Sequence, residues 1–213
     1  GVILTSSGCR RRTEPAAAPP EADDAVVLPE VTLVIAPEFS LMDTTGRKVS
    51  LADFEGSMVV LEWTSYQCPF VDNYYMPGAM VMIETAQKHA NRNVIWLAIN
   101  SSHTATAATN EEWRRKHRIP YPVLDDSLGT VGRMYGATHT PHMFVLDKER
   151  RVIYSGALDN DPERKMQPSE RINYVDRAIG EYFQQQPISI PRTRAVGCTV
   201  KYAPASAAVE RPN

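Results

Sequence analysis

The sequence predicts a layered α/β domain on a mixed sheet, and three observations predict it. Apolar runs of strand length alternate with segments of helical spacing from Val59 to Tyr135. A hairpin and one last helix follow them. The run Val94-Ile95-Trp96-Leu97-Ala98-Ile99 is apolar without a break, the pattern of a central strand covered on both faces.

Each element has its own local reason. Ala36–Leu41 and Val49–Leu51 flank the Gly-containing turn Asp43–Arg47, which predicts two short strands as an N-terminal hairpin. Leu51 to Gly56 reads as one helical turn stopped by glycine. Val59–Trp63 is a buried strand, and Pro69 to about His89 has helical spacing that Pro77 and Gly78 kink or interrupt. After Val94–Ile99, Ser101–Asn110 reads as a polar loop and Glu111–His117 as a short helix ended before Pro120. Tyr121–Leu124 is a strand, Gly129–Tyr135 a helix stopped at Gly136, and Met143–Leu146 pairs with Arg151–Tyr154 across the turn Asp147–Arg150. Ser169 to about Gln185 is the final helix, with Ser169 as its N-cap and Ile172, Val175, Ala178, Ile179 and Tyr182 on one face.

With 213 residues the chain holds one full core plus tails, divided as a tether (1–30), the folded domain (31–186) and an irregular C-terminal tail (187–213) that carries Cys198. A net charge of −2 points to no nucleic-acid partner. No apolar run reaches the roughly 18 residues a membrane span needs. Cys9, Cys68 and Cys198 are too few and too far apart for a disulfide scaffold, and without a C-x-x-C pair they offer no structural zinc site.

Gly1–Cys9, with small residues before a cysteine and aliphatics behind them, resembles the end of a bacterial lipoprotein signal, although Ser6 stands where Leu is usual. On that reading Cys9 takes a lipid anchor, Arg10–Asp24 is a flexible tether, and the protein sits at the bacterial cell envelope, periplasmic or membrane-tethered. On the other reading Cys9 is incidental to a disordered terminus and the protein is cytoplasmic.

The chemistry centres on Cys68. It follows a strand and a polar turn and precedes Pro69, which fits the first position of a helix. Free N–H groups and partial positive charge at a helix start stabilise a thiolate, and the polar loop predicts an accessible sulfur. Ligand chemistry in such sheets gathers at the C-terminal strand ends, where Cys68 lies. The local sequence around Pro141 reads as a trans loop proline before a strand. Trp63, Tyr66, Phe70, Tyr74 and Tyr75 read as core and rim around the cysteine.

Ala36-Pro37-Glu38-Phe39-Ser40-Leu41, the Asp43…Gly46 turn, Phe54-Glu55-Gly56, the strand into Cys68-Pro69, Tyr135-Gly136-Ala137 and Thr140–Asp147, in this order and spacing, resemble the redoxin or AhpC/TSA peroxiredoxin-like proteins of the thioredoxin fold. The resemblance covers about residues 36–185. It implies a thioredoxin-like three-layer sandwich with a cis Pro141 packed beside Cys68. It also implies that Glu62, six residues before Cys68, matches the buried carboxylate that assists proton transfer in thioredoxins; as plain sequence, Glu62 reads equally as a solvent-facing strand residue. Ser65 matches the Thr or Ser that peroxiredoxins place three residues before their reactive cysteine, and Pro69, Thr140 and Pro141 border the substrate groove.

Departures narrow the activity. Val71 stands where thioredoxins have their second cysteine, Leu61 where peroxiredoxins have a proline, and Pro141-His142 where they have an activating arginine. The run Gly197-Cys198-Thr199-Val200-Lys201 resembles a tail seen in peroxiredoxin-like proteins with Cys-Pro-Phe-Val, which makes Cys198 the candidate resolving thiol. The expected protein is a thiol-dependent antioxidant oxidoreductase that reduces a peroxide or a disulfide through Cys68. It uses no cofactor and takes its electrons from an external thiol such as a thioredoxin. The alternatives are a non-catalytic thioredoxin-like binding module and a copper-handling protein. The latter draws on His103, His139 and His142 at the same edge but lacks the local cysteine pair, so no metal site is expected.

Overall fold

The computed structural model describes Gly1 and residues 34–204. The anchor expected at Cys9 and the tether lie outside the described residues.

Strands β1 (Ser40–Asp43) and β2 (Lys48–Ser50) form the N-terminal hairpin. Its turn closes because the Asp43 carboxylate accepts the Thr45 and Arg47 amides, both at 2.9 Å. A 3₁₀ turn, Leu51–Phe54, leads to β3 (Met58–Trp63), whose six residues are all buried. The chain continues through α1 (Pro69–Tyr75), α2 (Val81–Ala90), β4 (Val94–Asn100), α3 (Ala107–Lys116), β5 (Val123–Asp125), α4 (Thr130–Tyr135), β6 (His139–Thr140), β7 (His142–Leu146), β8 (Val152–Gly156), α5 (Tyr174–Phe183) and β9 (Cys198–Thr199).

Seven strands form one mixed sheet in the order β2-β1-β5-β4-β3-β7-β8. β3, β4 and β5 run parallel, and β7 lies antiparallel to β3 with Glu62 opposite Met143 and Trp63 opposite His142. Alternation along β3 sends its residues to two cores. Met58 and Val60 pack with Trp96, Val71, Tyr75, Met82, Val175 and Ile179 on one face. Val59, Leu61 and Trp63 pack with Leu97, Ile99, Val131, Tyr135 and Phe144 on the other. The result is the expected mixed α/β sandwich, with the segment Pro69–His89 split into α1 and α2 across Pro77-Gly78.

Three expectations need correction. The loop Ser101–Asn110 is shorter than its polarity suggests, because Thr106 accepts the Thr109 amide at 3.1 Å and starts α3 four residues early. Ser169 lies in a separate 3₁₀ turn, Pro168–Glu170, and the N-cap of α5 is Asn173, which accepts the Asp176 amide at 2.9 Å. The tail after Pro187 is not irregular throughout. Thr193 bonds Ser155, Tyr154 and Ala157 alongside β8, and β9 pairs antiparallel with β6. Prolines hide such docking in a sequence, because the tail's partners are contributed by distant strands.

Candidate functional site

β3 delivers the chain to a turn, Thr64–Gln67, and Cys68 follows as the N-cap of α1 with Pro69 in the first helical turn. Its amide donates to Ser65 O at 3.1 Å and its carbonyl accepts the Asp72 amide at 3.0 Å, so backbone bonds hold the cysteine on both sides. The Thr140–Pro141 peptide is cis, as the family resemblance implied and the local sequence did not. Thr140 and Pro141 are buried, and the Cys68 thiol donates to Thr140 O at 2.9 Å.

Cys198 arrives from the far end of the chain. Thr140 pairs with Cys198 in the β6–β9 ladder, and the Thr140 hydroxyl donates to Cys198 O at 3.5 Å. The approach requires glycine at 197, because a Cβ there would sit 2.0 Å from Thr140 O. Cys198 then packs against the core that holds Cys68 and lies beside that residue, while both thiols remain free. Burial, followed by the neighbouring Cys68, pushes the Cys198 thiol up to about 11, against the weaker pull of Lys201. Cys68 is only 2% exposed, so the accessible sulfur expected from the polar loop is instead covered.

Glu62 is fully buried, which removes the solvent-facing reading. Tyr75 donates to its carboxylate at 2.6 and 2.8 Å, Trp96 at 3.0 Å and Tyr121 at 3.2 Å. Burial raises the carboxyl, and these donors offset part of the rise. Burial and the nearby carboxyl hold both tyrosines well above the ordinary phenol range. All of these bonds lead away from Cys68. Tyr75 is the last residue of α1, so Glu62 braces the end of the helix opposite the cysteine. Tyr74 adds a second brace, donating to Asp159 at 2.9 Å, and Asn73 a third through Pro162 O.

The Ser65 hydroxyl, also buried, meets the Gln67 amide and Ser102 at 3.4 Å each and makes no bond to Cys68. Pro69 is exposed at the rim. His139 and His142 flank Pro141, and burial lowers His142 to about 4, which keeps it neutral near pH 7. His103 lies further along, against Lys201 O. Sequence reasoning missed the aromatic partners of Glu62 and also Tyr202, which docks beside α4; the small residues Gly129 and Gly132 were the available signal for that dock.

A mixed sheet with a cysteine at the β3–α1 junction and a cis-proline beside it defines a thioredoxin-fold thiol protein. The AhpC/TSA family model matches residues 34–155, and the chain belongs to that family. It is 30% identical over 118 residues to the thiol-disulfide oxidoreductase ResA of Bacillus thuringiensis, an alignment covering 55% of this chain and 65% of the relative. It is 28% identical over 145 residues to the chloroplastic peroxiredoxin Q of Oryza sativa subsp. japonica, covering 61% and 60%. The chain therefore spans just under two thirds of the length of these curated relatives. A solved structure of an uncharacterized conserved protein from Geobacillus kaustophilus shares the fold, with a TM-score of 0.73, 22% identity and coverage of 81% and 93%.

Proposed function

We propose that this protein is a thiol oxidoreductase of the peroxiredoxin-like group in which Cys68 is the attacking thiol and Cys198 the resolving one. The observation that carries the reading is that both free cysteines meet at Thr140, Cys68 through its thiol and Cys198 through the pairing of β6 with β9. The similarity to a thiol-disulfide oxidoreductase and to a peroxiredoxin supports it.

With a hydroperoxide, the Cys68 thiolate attacks the terminal oxygen. An S–O bond forms, the O–O bond breaks, and the leaving alkoxide or hydroxide takes up a proton. The Cys198 sulfur then attacks the sulfenic sulfur. An S–S bond forms, the S–O bond breaks, and water leaves with the proton from Cys198. An external dithiol, such as a reduced thioredoxin, returns the pair to thiols and is itself oxidised to a disulfide. Its first attack falls on Cys198 with Cys68 as the leaving group, because Cys198 is half-buried and within reach whereas Cys68 is covered. Glu62 acts as a positioning residue for α1, and Ser65 shapes the turn. An envelope location and a lipid anchor rest on Gly1–Cys9 alone.

Mass spectrometry of the peroxide-treated protein tests the assignment. A Cys68–Cys198 disulfide is expected in the native protein, and sulfenic then sulfinic Cys68 in Cys198→Ser. If peroxide leaves Cys68 untouched in both, the peroxidase reading falls, and if Cys68 also reacts with iodoacetamide no faster than a free thiol at neutral pH, the enzyme reading gives way to a non-catalytic binding module.

A further inference from the structure

Residues 196–203 cross the site as a strap, and Tyr202 holds its far end. The Tyr202 hydroxyl donates to Ala137 O at 2.7 Å, and its ring lies 4.5 Å from the Arg133 guanidinium. Gly129 and Gly132 make the slot, since a Cβ at either would stand 2.5 Å from the tyrosine. Arg133 also donates to Ala203 O at 2.7 Å. Between this latch and Cys198, the Val200 amide donates to Thr138 O at 3.1 Å. The His103 amide donates to Lys201 O at 2.9 Å, and Lys201 reaches Gln67 Oε1 at 3.3 Å.

The strap thus joins the loop before Cys68, the loop after β4, the start of α4 and the edge Thr138–Thr140. That edge is where an extended peptide would have to pair to bring its own disulfide to Cys68, and β9 already occupies it. Cys68 is left 2% exposed, whereas Cys198 remains half-buried and within reach of solvent.

We propose that Tyr202, seated between Gly129 and Gly132, is the specificity-determining latch of the site: it keeps the strap closed over Cys68, admits small hydroperoxides and excludes protein disulfides as substrates. This deepens the reading of Cys68 as the reacting thiol and rests on it. Opening the latch widens the substrate range to folded-protein disulfides without adding a catalytic group, because Tyr202 touches neither sulfur.

The test reads access and redox separately. The full chain, fully reduced, is treated in parallel with iodoacetamide and with a maleimide carrying a polyethylene glycol chain, and Cys68 modification is followed by peptide mass mapping. In Tyr202→Ala the bulky reagent is expected to modify Cys68 about tenfold faster, the change that losing one hydrogen bond and one cation–π contact would produce. The iodoacetamide rate should change much less, insulin reduction should rise and peroxide consumption should persist. A bulky-reagent rate equal to that of the wild type, or an equal rise for both reagents, overturns the latch. If circular dichroism shows Tyr202→Ala unfolded, Arg133→Ala, which removes the cation and the bond to Ala203 from an exposed side chain, must give the same size-selective gain. If the labelling shifts as expected but peroxide leaves Cys68 unmodified in both proteins, the latch stands as an access filter and the peroxidase reading falls.

Discussion

Cys198 and Glu62 both keep their protons beyond the ordinary range, for related reasons and with different consequences. For Cys198 the main cause is burial and the second is Cys68. Its alkylation by iodoacetamide should therefore rise about tenfold per pH unit through the alkaline range towards 11, since the thiolate is the nucleophile. A plateau at the ordinary thiol value of 9.0 would contradict the burial. For Glu62, burial raises the carboxyl above 4.5. Protonation then favours the folded state, and that contribution is lost as pH rises from 4.5 towards the folded value. Urea unfolding of the wild type should lose ground relative to Glu62→Gln over that interval, whatever the offset between the two at low pH. A pH-independent difference would mean that the carboxyl titrates alike in both states.

At the scale of elements, the short pairing of β6 with β9 sets Cys198 beside Cys68, and the proposed resolution step depends on it. Gly197→Ala should part these strands, since its methyl group would lie 2.0 Å from Thr140 O, a backbone atom that cannot move aside cheaply. The expected outcome is peroxide-treated protein in which Cys68 proceeds to sulfinic acid and the disulfide with Cys198 is largely absent. Undiminished disulfide in that variant would mean that the tail reaches Cys68 without the ladder. The elements whose boundaries the sequence obscured share one cause. Thr106 and Asn173 start helices inside stretches that look like loop, because a cap is recognised by the amide it accepts, and Ser169 is an equally plausible cap by type.

At the scale of the molecule, the two cores lie on opposite faces of one sheet, and β3 and β4 contribute to both. Leu97, fully buried in the middle of the sheet, is far from the sulfurs in function but central in packing. Leu97→Ala should lower stability by about 2–5 kcal/mol in urea titration. The folded fraction should still form the Cys68–Cys198 disulfide at the native rate; loss of that rate at full folding would tie the core to the chemistry. The succession of strands and helices, the split of Pro69–His89 at Pro77-Gly78 and the cysteine before a helix were legible because they depend on apolar period, proline and glycine, which act locally. The bonds of Glu62 to Tyr75, Trp96 and Tyr121 were not legible, since those donors come from α1, β4 and the segment before β5.

Taken alone, the sequence determined the α/β layering, the position of Cys68 at the end of a buried strand and the absence of a local partner at Val71. Only the tertiary structure decided that Cys68 is covered, that Cys198 lies against it and that Tyr202 closes the tail. Each of these depends on residues more than fifty positions apart meeting at Ala137–Pro141, and such meetings follow from how the sheet and the tail pack, a property no local pattern in the chain encodes.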